Sequence, residues 1–322
     1  TPPMPERGRC WLKSGRVRVH ASWGGCGGAI GEPTDEQDMS SASADFSPLR
    51  SWQWYAESGD QQLIFWICVV LNAAFILSFL ILCSGVEAPY GRYNQAEDKA
   101  KKTGILALLS TFDVPAKLAW VIQECPTLLW AAKCWLTAGP VFHASWGNKM
   151  VLFCFVIHYT NRTIIFPLRS RGSKPIPLPI MMFAFTFCCC NGYIQCQSLT
   201  RYLTVSPSSS TTLIGVAVWA LGLYLNMDAD HILRNLRKPG EKAYKIPRGG
   251  LFEYVSGANF AAEILEWFGF MVATGFSLPG FSFALCTACN IGPRAVSHHK
   301  WYKEKFQEDY PKSRKALIPF VW

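Results

Sequence analysis

The 322-residue chain is half hydrophobic, only 16% charged and carries a formal net charge of +9; soluble domains usually hold about 25% charged residues. That shortfall, with a positive mean hydropathy, argues against a soluble enzyme and leaves room for about seven membrane spans of ~20 residues. The positive charge sits in short loops between apolar runs, which speaks against nucleic acid as a partner and fits loops held on the cytoplasmic side.

Residues 1–60 are polar, rich in Gly and Ser, and without periodicity. They read as a disordered tail, or as a start wrongly assigned to the chain, with no cleaved signal peptide. The remainder, 61–322, reads as one membrane domain. Its first span, 63–83, holds one polar amide, Asn72, and no charge. The second, 116–136, is less pure, with Lys117 and Lys133 near its ends where they can snorkel. Further spans are expected at 151–168, 178–199, 213–233, 251–277 and, shortest, 281–296. Seven spans place the basic stretch 234–250 and the C-terminal tail on the same side. Of thirteen cysteines, those in or beside apolar segments read as small buried hydrophobes. The Cys286–Cys289 pair has zinc-like spacing but no second pair or ligating His nearby, so no metal is expected.

Polar groups inside spans cost about 2.5–3.5 kcal/mol each and usually face a protein interior. Glu124 lies mid-span, two residues before Pro126, whose ring frees a backbone carbonyl. A carboxyl there is expected to be neutral and able to donate a hydrogen bond, for function or for a structural contact with another helix. In "HYTNRT", Tyr159, Arg162 and Phe166 share a helix face, as a carbonyl-polarising group or as an interfacial anchor. Asn226, Asp230, Arg234 and Arg237 recur at intervals of four, four and three, a polar stripe running to the end of the fifth span. Asn259, Glu263 and Glu266 form a stripe of opposite sign on the sixth. The two stripes flank "LRNLRKPGEKAYKIPRGG", residues 233–250, with six basic residues and one acid. If that stretch is a tight return, the stripes face each other across a cavity with a cationic mouth. A dinucleotide phosphate fits such a slot, since Arg suits bidentate phosphate contacts. Anionic lipid headgroups or S-adenosyl-methionine fit nearly as well, and no Rossmann glycine fingerprint is present.

The stretches "DHILRNLRKPGEKAYKIPRGGLFEYVSGANFAAEILEW" and "HHKWYKEKFQEDYPKSRKALIPF", with "VPAKLAWVIQECPT", "VIHYTNRTIIFPL" and "CNGYIQ", resemble the steroid 5α-reductase family, most like its type 1 members. The resemblance covers roughly residues 86–322. It implies a seven-helix, multi-pass enzyme of the endoplasmic reticulum membrane that reduces the carbon 4–5 double bond of 3-oxo-Δ4-steroids with NADPH, with loop 234–250 and the tail cytoplasmic. No obligatory protein partner is implied. By the same resemblance, Glu124 and Tyr159 hold the steroid 3-carbonyl. Asn226, Asp230, Arg234, Arg237, Tyr244, Lys245, Asn259 and Glu263 belong to the cofactor region. Arg162, Arg171, Arg294, His298, Tyr302 and Arg314 match further positions near the cofactor. The chain departs from the family at Asp228-Ala229, where a histidine and a serine are usual, at Cys125, in the short stretch 204–212, at 103–112 and at Gln307, an apparent insertion. Other readings are a related reductase of a polyprenol or enoyl thioester, a membrane methyltransferase, or an inactive sterol- or lipid-binding relative.

Overall fold

The computed structural model describes residues 59–85, 112–171, 173–238, 241 and 243–321, all within the unit spanning 47–322. The expectations for residues 1–58 and 103–111 lie outside the described residues. The fold is mostly helical. In chain order come α1 (Gly59–Cys83), strand β1 (Asp113–Val114), α2 (Ala116–Thr137), a short α3 (Pro140–Ala144) and α4 (Trp146–Thr160). A π-helical segment (Asn161–Ile165) then leads into α5 (Phe166–Arg169), followed by β2 (Ile176–Pro177), α6 (Leu178–Arg201), α7 (Ser210–Asn235), α8 (Ala258–Ala273) and α9 (Leu278–Phe306). The strands pair antiparallel, Asp113 opposite Pro177 and Val114 opposite Ile176, and tie the entry of α2 to that of α6.

Among the described residues, four stretches, Gly59–Cys83, Trp146–Arg169, Leu178–Arg201 and Ser210–Asn235, are long and apolar enough to cross a membrane. The other three expected spans are also helical, but α2 carries Lys117, Glu124 and Lys133, α8 has 16 residues, and the second half of α9 is basic. α1 turns Leu63, Trp66, Val70, Leu77 and Leu80 outward, as a lipid-facing helix must when water is absent. The one amide of its apolar run 63–83 is satisfied inside: Asn72 Nδ2 donates to Ser282 Oγ at 3.1 Å. At the start of α1, Asp60 accepts from Tyr193, Tyr202 and Gln197, which fastens α1 to the C-terminal half of α6.

The expected sixth and seventh spans need correction. The sixth does not begin at 251: residues Gly250–Glu253 form a 3-10 turn and the α-helix starts at Ala258. The backbone between them is bonded to the tail instead. Ser256 N–H donates to Lys315 O at 2.8 Å, Gly257 N–H to Ala316 O at 3.0 Å, and Lys315 N–H to Tyr254 O at 2.9 Å. The helix that contains the seventh is much longer than 281–296. α9 runs through Pro293 to Phe306, because beyond the apolar run Tyr302 still buries itself, stacking on Tyr310 of the tail at 5.5 Å.

α7 and α8 run antiparallel in close contact, and glycines make the approach possible. A Cβ at Gly222 of α7 would lie 2.4 Å from the Glu266 backbone nitrogen of α8, and one at Gly269 of α8 would lie 2.3 Å from the Trp219 backbone nitrogen. Gly222→Ala is therefore expected to push the helices apart and to destabilise the fold by about 1–3 kcal/mol, as overpacking does. Thermal unfolding of the purified protein in detergent checks this, and an unchanged midpoint would contradict the packing.

The tail is held by side chains as well. Ser256 Oγ lies 2.6 Å from both His299 Nδ1 and Tyr310 Oη. Buried Arg314 donates to Pro247 O at 3.1 Å. His299 lies beyond the expected span, and partial burial, then Lys303, Arg314 and Lys315, push its imidazole below the ordinary value. The folded state thus favours neutral His299, and the unfolded chain takes up the proton first on acidification. The clasp's contribution is full above the ordinary value of about 6.5 and is lost as pH falls through the folded value. Melting is expected to weaken between pH 7.5 and 5.5, with a flatter slope in His299→Gln; equal slopes would exclude His299 as the cause.

Candidate functional site

A cavity of about 580 Å³ opens between the helices, within the ~300–1,000 Å³ usual for small-molecule sites. Glu124, Tyr159, Arg162, Asp230, Asn259, Glu263 and Arg294 line it. Around them stand apolar rings, among them Trp120, Phe183, Phe187, Trp267 and Phe283. The lining changes along α8: Asn259 and Glu263 lie in its first two turns, Trp267 one turn beyond Glu263, about 6 Å further on at 1.5 Å per residue. Along α9 the order reverses, from Phe283 to Arg294. The cavity therefore has a charged end toward loop 234–257 and an aromatic end deeper in the bundle.

Arg162 organises the charged end. Its Nη1 donates to Asp230 Oδ2 at 3.1 Å and its Nη2 to Glu263 Oε2, linking α7 to α8. Its guanidinium lies over the rings of Trp120 and Phe166 at 5.7 and 5.3 Å. The backbone that presents it is π-helical: Phe166 N–H donates five residues back to Asn161 O. Pro167 follows directly, lacks an N–H and crowds the preceding turn, which accounts for a widened turn here; such turns are frequent at functional sites. Asn226 lies just behind the wall, donating to Asn259 O at 2.9 Å and contacting Glu263 Oε2 at 3.5 Å. The two polar stripes thus meet, as their spacing implies.

Glu124 and Tyr159 enter the same cavity from α2 and α4. Both Glu124 oxygens accept hydrogen bonds, Oε1 from Gln123 Nε2 at 3.1 Å and Oε2 from the Cys188 thiol at 3.4 Å. The Tyr159 hydroxyl accepts from Asn191 Nδ2 at 3.3 Å. His158, also in the lining, holds Glu266 through Nδ1 at 2.6 Å, and Glu266 is fully buried. Sequence reasoning named neither His158 nor Cys188 as a site residue. The one available signal was His158 directly preceding Tyr159.

The remaining expected residues lie off the cavity wall. Arg234 lines a small adjoining recess with Asn161, Arg169 and Asp230, within electrostatic reach of Arg169 and Arg171. Arg237 sits over the Tyr244 ring at 5.4 Å, and Tyr244 meets Trp301 edge-on. Lys245 pairs with Glu241 at 2.7 Å, which holds that carboxyl below the usual range. His298 packs beside Phe260. Tyr302 and Arg314 belong to the tail clasp. Asp228 abuts Gly250, whose φ is +51°, rather than the cavity lining.

The family profile of 3-oxo-5-alpha-steroid 4-dehydrogenase matches residues 174–322. Over 256 residues the chain is 44% identical to 3-oxo-5-alpha-steroid 4-dehydrogenase 1 of Bos taurus, covering 78% of this chain and 94% of that protein. Against 3-oxo-5-alpha-steroid 4-dehydrogenase 2 of Rattus norvegicus it is 41% identical over 247 residues, 76% of this chain and 91% of the relative. The chain belongs to the 3-oxo-5-alpha-steroid 4-dehydrogenase family. Within the 3-oxo-5-alpha-steroid 4-dehydrogenase profile match fall α6, α7, α8 and α9 with both polar stripes. Glu124, Tyr159 and Arg162 lie ahead of it, inside the longer match to the whole relatives.

Proposed function

We propose that the chain is an NADPH-dependent reductase of 3-oxo-Δ4-steroids, saturating the carbon 4–5 double bond to give 5α-reduced 3-oxo-steroids. One observation carries the reading. Glu124 and Tyr159, from different helices, line one aromatic-walled cavity whose other end is charged, in a chain 44% identical to a named 3-oxo-5-alpha-steroid 4-dehydrogenase.

The charged end suits a nicotinamide dinucleotide. Arg169 and Arg171 stand close enough to Arg234 to repel it, a repulsion that an anion bound beside Arg234 relieves. The residues that would hold the cofactor are Arg234, Arg171 and Arg237 for phosphates, with Asn226, Asp230, Asn259, Glu263, Arg162 and Arg294 around the deeper part. Tyr244, Lys245, His298, Tyr302 and Arg314 would support the loop and tail enclosing it. When bound, NADPH supplies a hydride for carbon 5 of the steroid.

The chain's own residues stabilise the resulting charge. Electron density displaced from the conjugated double bond gathers on the 3-oxygen and returns to carbon 4 when that carbon takes up a proton, which completes the saturated ketone. Donors already placed at that oxygen stabilise the charge as it forms. Neutral Glu124 and the Tyr159 hydroxyl are suited to this, whereas an ionised Glu124 would repel it. Trp120, Phe183, Phe187 and Phe283 would hold the steroid body and exclude water.

The wider reading has residues 61–322 as one membrane domain of seven spans, with α2, α8 and α9 crossing alongside the four apolar stretches. The acids of α8 are partnered inside the bundle, Glu263 by Arg162 and Glu266 by His158. It also has the protein in the endoplasmic reticulum membrane, with loop 234–250 and the tail in the cytoplasm and no obligatory protein partner.

Microsomes expressing the chain should convert testosterone or progesterone to the 5α-reduced product with NADPH and far less with NADH. Steroid binding without conversion would instead support an inactive sterol-binding relative, and loss of both would remove the steroid reading.

A further inference from the structure

The hydrogen bonds behind Tyr159 have a fixed direction. Gln195 of α6 lies against the backbone carbonyl of Pro279, at the start of α9, with Nε2 at 2.7 Å. A backbone carbonyl can only accept, so the Gln195 atom there must be the amide nitrogen. The same Nε2 lies 3.1 Å from Asn191 Oδ1, one helical turn earlier. Its second proton goes there, and the Asn191 oxygen is thereby spent as an acceptor. Asn191 must then present its Nδ2 to Tyr159, which it does at 3.3 Å. Both amides are buried, Asn191 at 0% and Gln195 at 1% exposure, so water cannot reverse the chain.

The Tyr159 oxygen therefore receives a hydrogen bond and does not give one to Asn191. Its own proton is left over. Phe155, Trp267 and Phe283 surround the ring and offer no acceptor. Among the described residues Tyr159 has no other hydrogen-bond partner, and the ring lines the cavity. Without the amides behind it, a buried phenol could turn its proton backward onto any acceptor there and meet the substrate oxygen lone pair to lone pair.

Resting on the reductase reading above, we propose that Asn191 and Gln195 are positioning residues of the reaction. Their one-way amide relay, anchored at the Pro279 carbonyl, commits the Tyr159 proton to the ligand's 3-oxygen. The ligand class follows: the cavity favours an apolar ring system ending in an acceptor-only oxygen, a ketone, over one with no oxygen at that place.

The test is a double-mutant cycle with Tyr159→Phe, which has no proton to direct. Asn191→Leu is expected to lower kcat for testosterone about tenfold, the usual effect of one lost neutral hydrogen bond, in the parent protein. In Tyr159→Phe the same change should cost less than about twofold. In purified protein, the preference for testosterone over its analogue lacking the 3-oxygen should fall in Asn191→Leu and be unaffected by that change in Tyr159→Phe. Where Asn191→Leu does not fold, Gln195→Met carries the test: it removes the anchor but keeps Asn191, with a drop of about threefold expected only when Tyr159 is present. Equal losses in both backgrounds, or none in either, would overturn the proposal, because a general packing defect is blind to the phenol. A parent protein that neither converts testosterone nor prefers it over the analogue would remove the reductase reading, and this inference with it.

Discussion

Glu124→Leu is expected to lower turnover of a 3-oxo-Δ4-steroid by about 100- to 1,000-fold, the usual effect of removing one donor to a developing oxyanion. Glu124→Gln should retain a measurable part of it, because an amide still donates. The structure makes the comparison clean. Gln123 and Cys188 already bond the two carboxyl oxygens, so an isosteric amide keeps one of the two acceptors in its carbonyl oxygen, whereas leucine leaves both donors unmatched. Steroid affinity should change less than turnover, since the interaction strengthens as charge accumulates. Equal activity of the two variants would take Glu124 out of the chemistry.

Arg162→Leu should be the most damaging substitution for the fold. Asp230 and Glu263 converge on this one guanidinium, and both carboxylates are largely shielded from water. Removing one partner of a buried pair typically costs about 3–5 kcal/mol, because the remaining charge is left uncompensated. Here two are left, on two different helices. Thermal unfolding in detergent should show a large drop, and Glu263→Gln added to Arg162→Leu should recover part of it by deleting one orphaned charge. A melting curve matching that of the parent would mean that the three groups do not depend on each other. Arg162→Lys should also fall short, since an ammonium lacks the planar fork that reaches both acids together.

What the sequence disclosed followed from short-range regularities. An uninterrupted apolar run such as 63–83 announces itself, and four-residue spacing places Asn226 with Asp230, and Asn259 with Glu263, on one helix face wherever that helix lies. Their convergence across α7 and α8 could be anticipated because only one loop separates them. Errors arose where a distant segment decides. The α8 start depends on Lys315 and Ala316, far along the chain, which take the backbone bonds that a longer helix would have used. α9 outlasts its apolar run because the tail covers Tyr302. The partners of Glu124 and Tyr159 were equally hidden: nothing near Cys188 or Asn191 reveals which helix they will face. Tyr244 and Lys245 came from family resemblance alone and Arg237 from spacing as well, and the structure holds them off the cavity wall, Arg237 over Tyr244, Tyr244 against Trp301 and Lys245 on Glu241.

The stitching of residues 254–257 to 315–316 has a bearing on biogenesis. α7 and α8 can insert and pair while the ribosome is still at work, but Ser256 and Gly257, at the entry to α8, lack the acceptors for their N–H groups until the last segment emerges. The Asn259 and Glu263 end of the site is therefore finished late, after every helix has been made. Premature termination a few residues past Tyr310 would leave the hydrophobic bundle largely assembled yet strip the support from Pro247 through Gly257. Such a product should persist in the bilayer as a stable but incompetent protein rather than be cleared as an unfolded one.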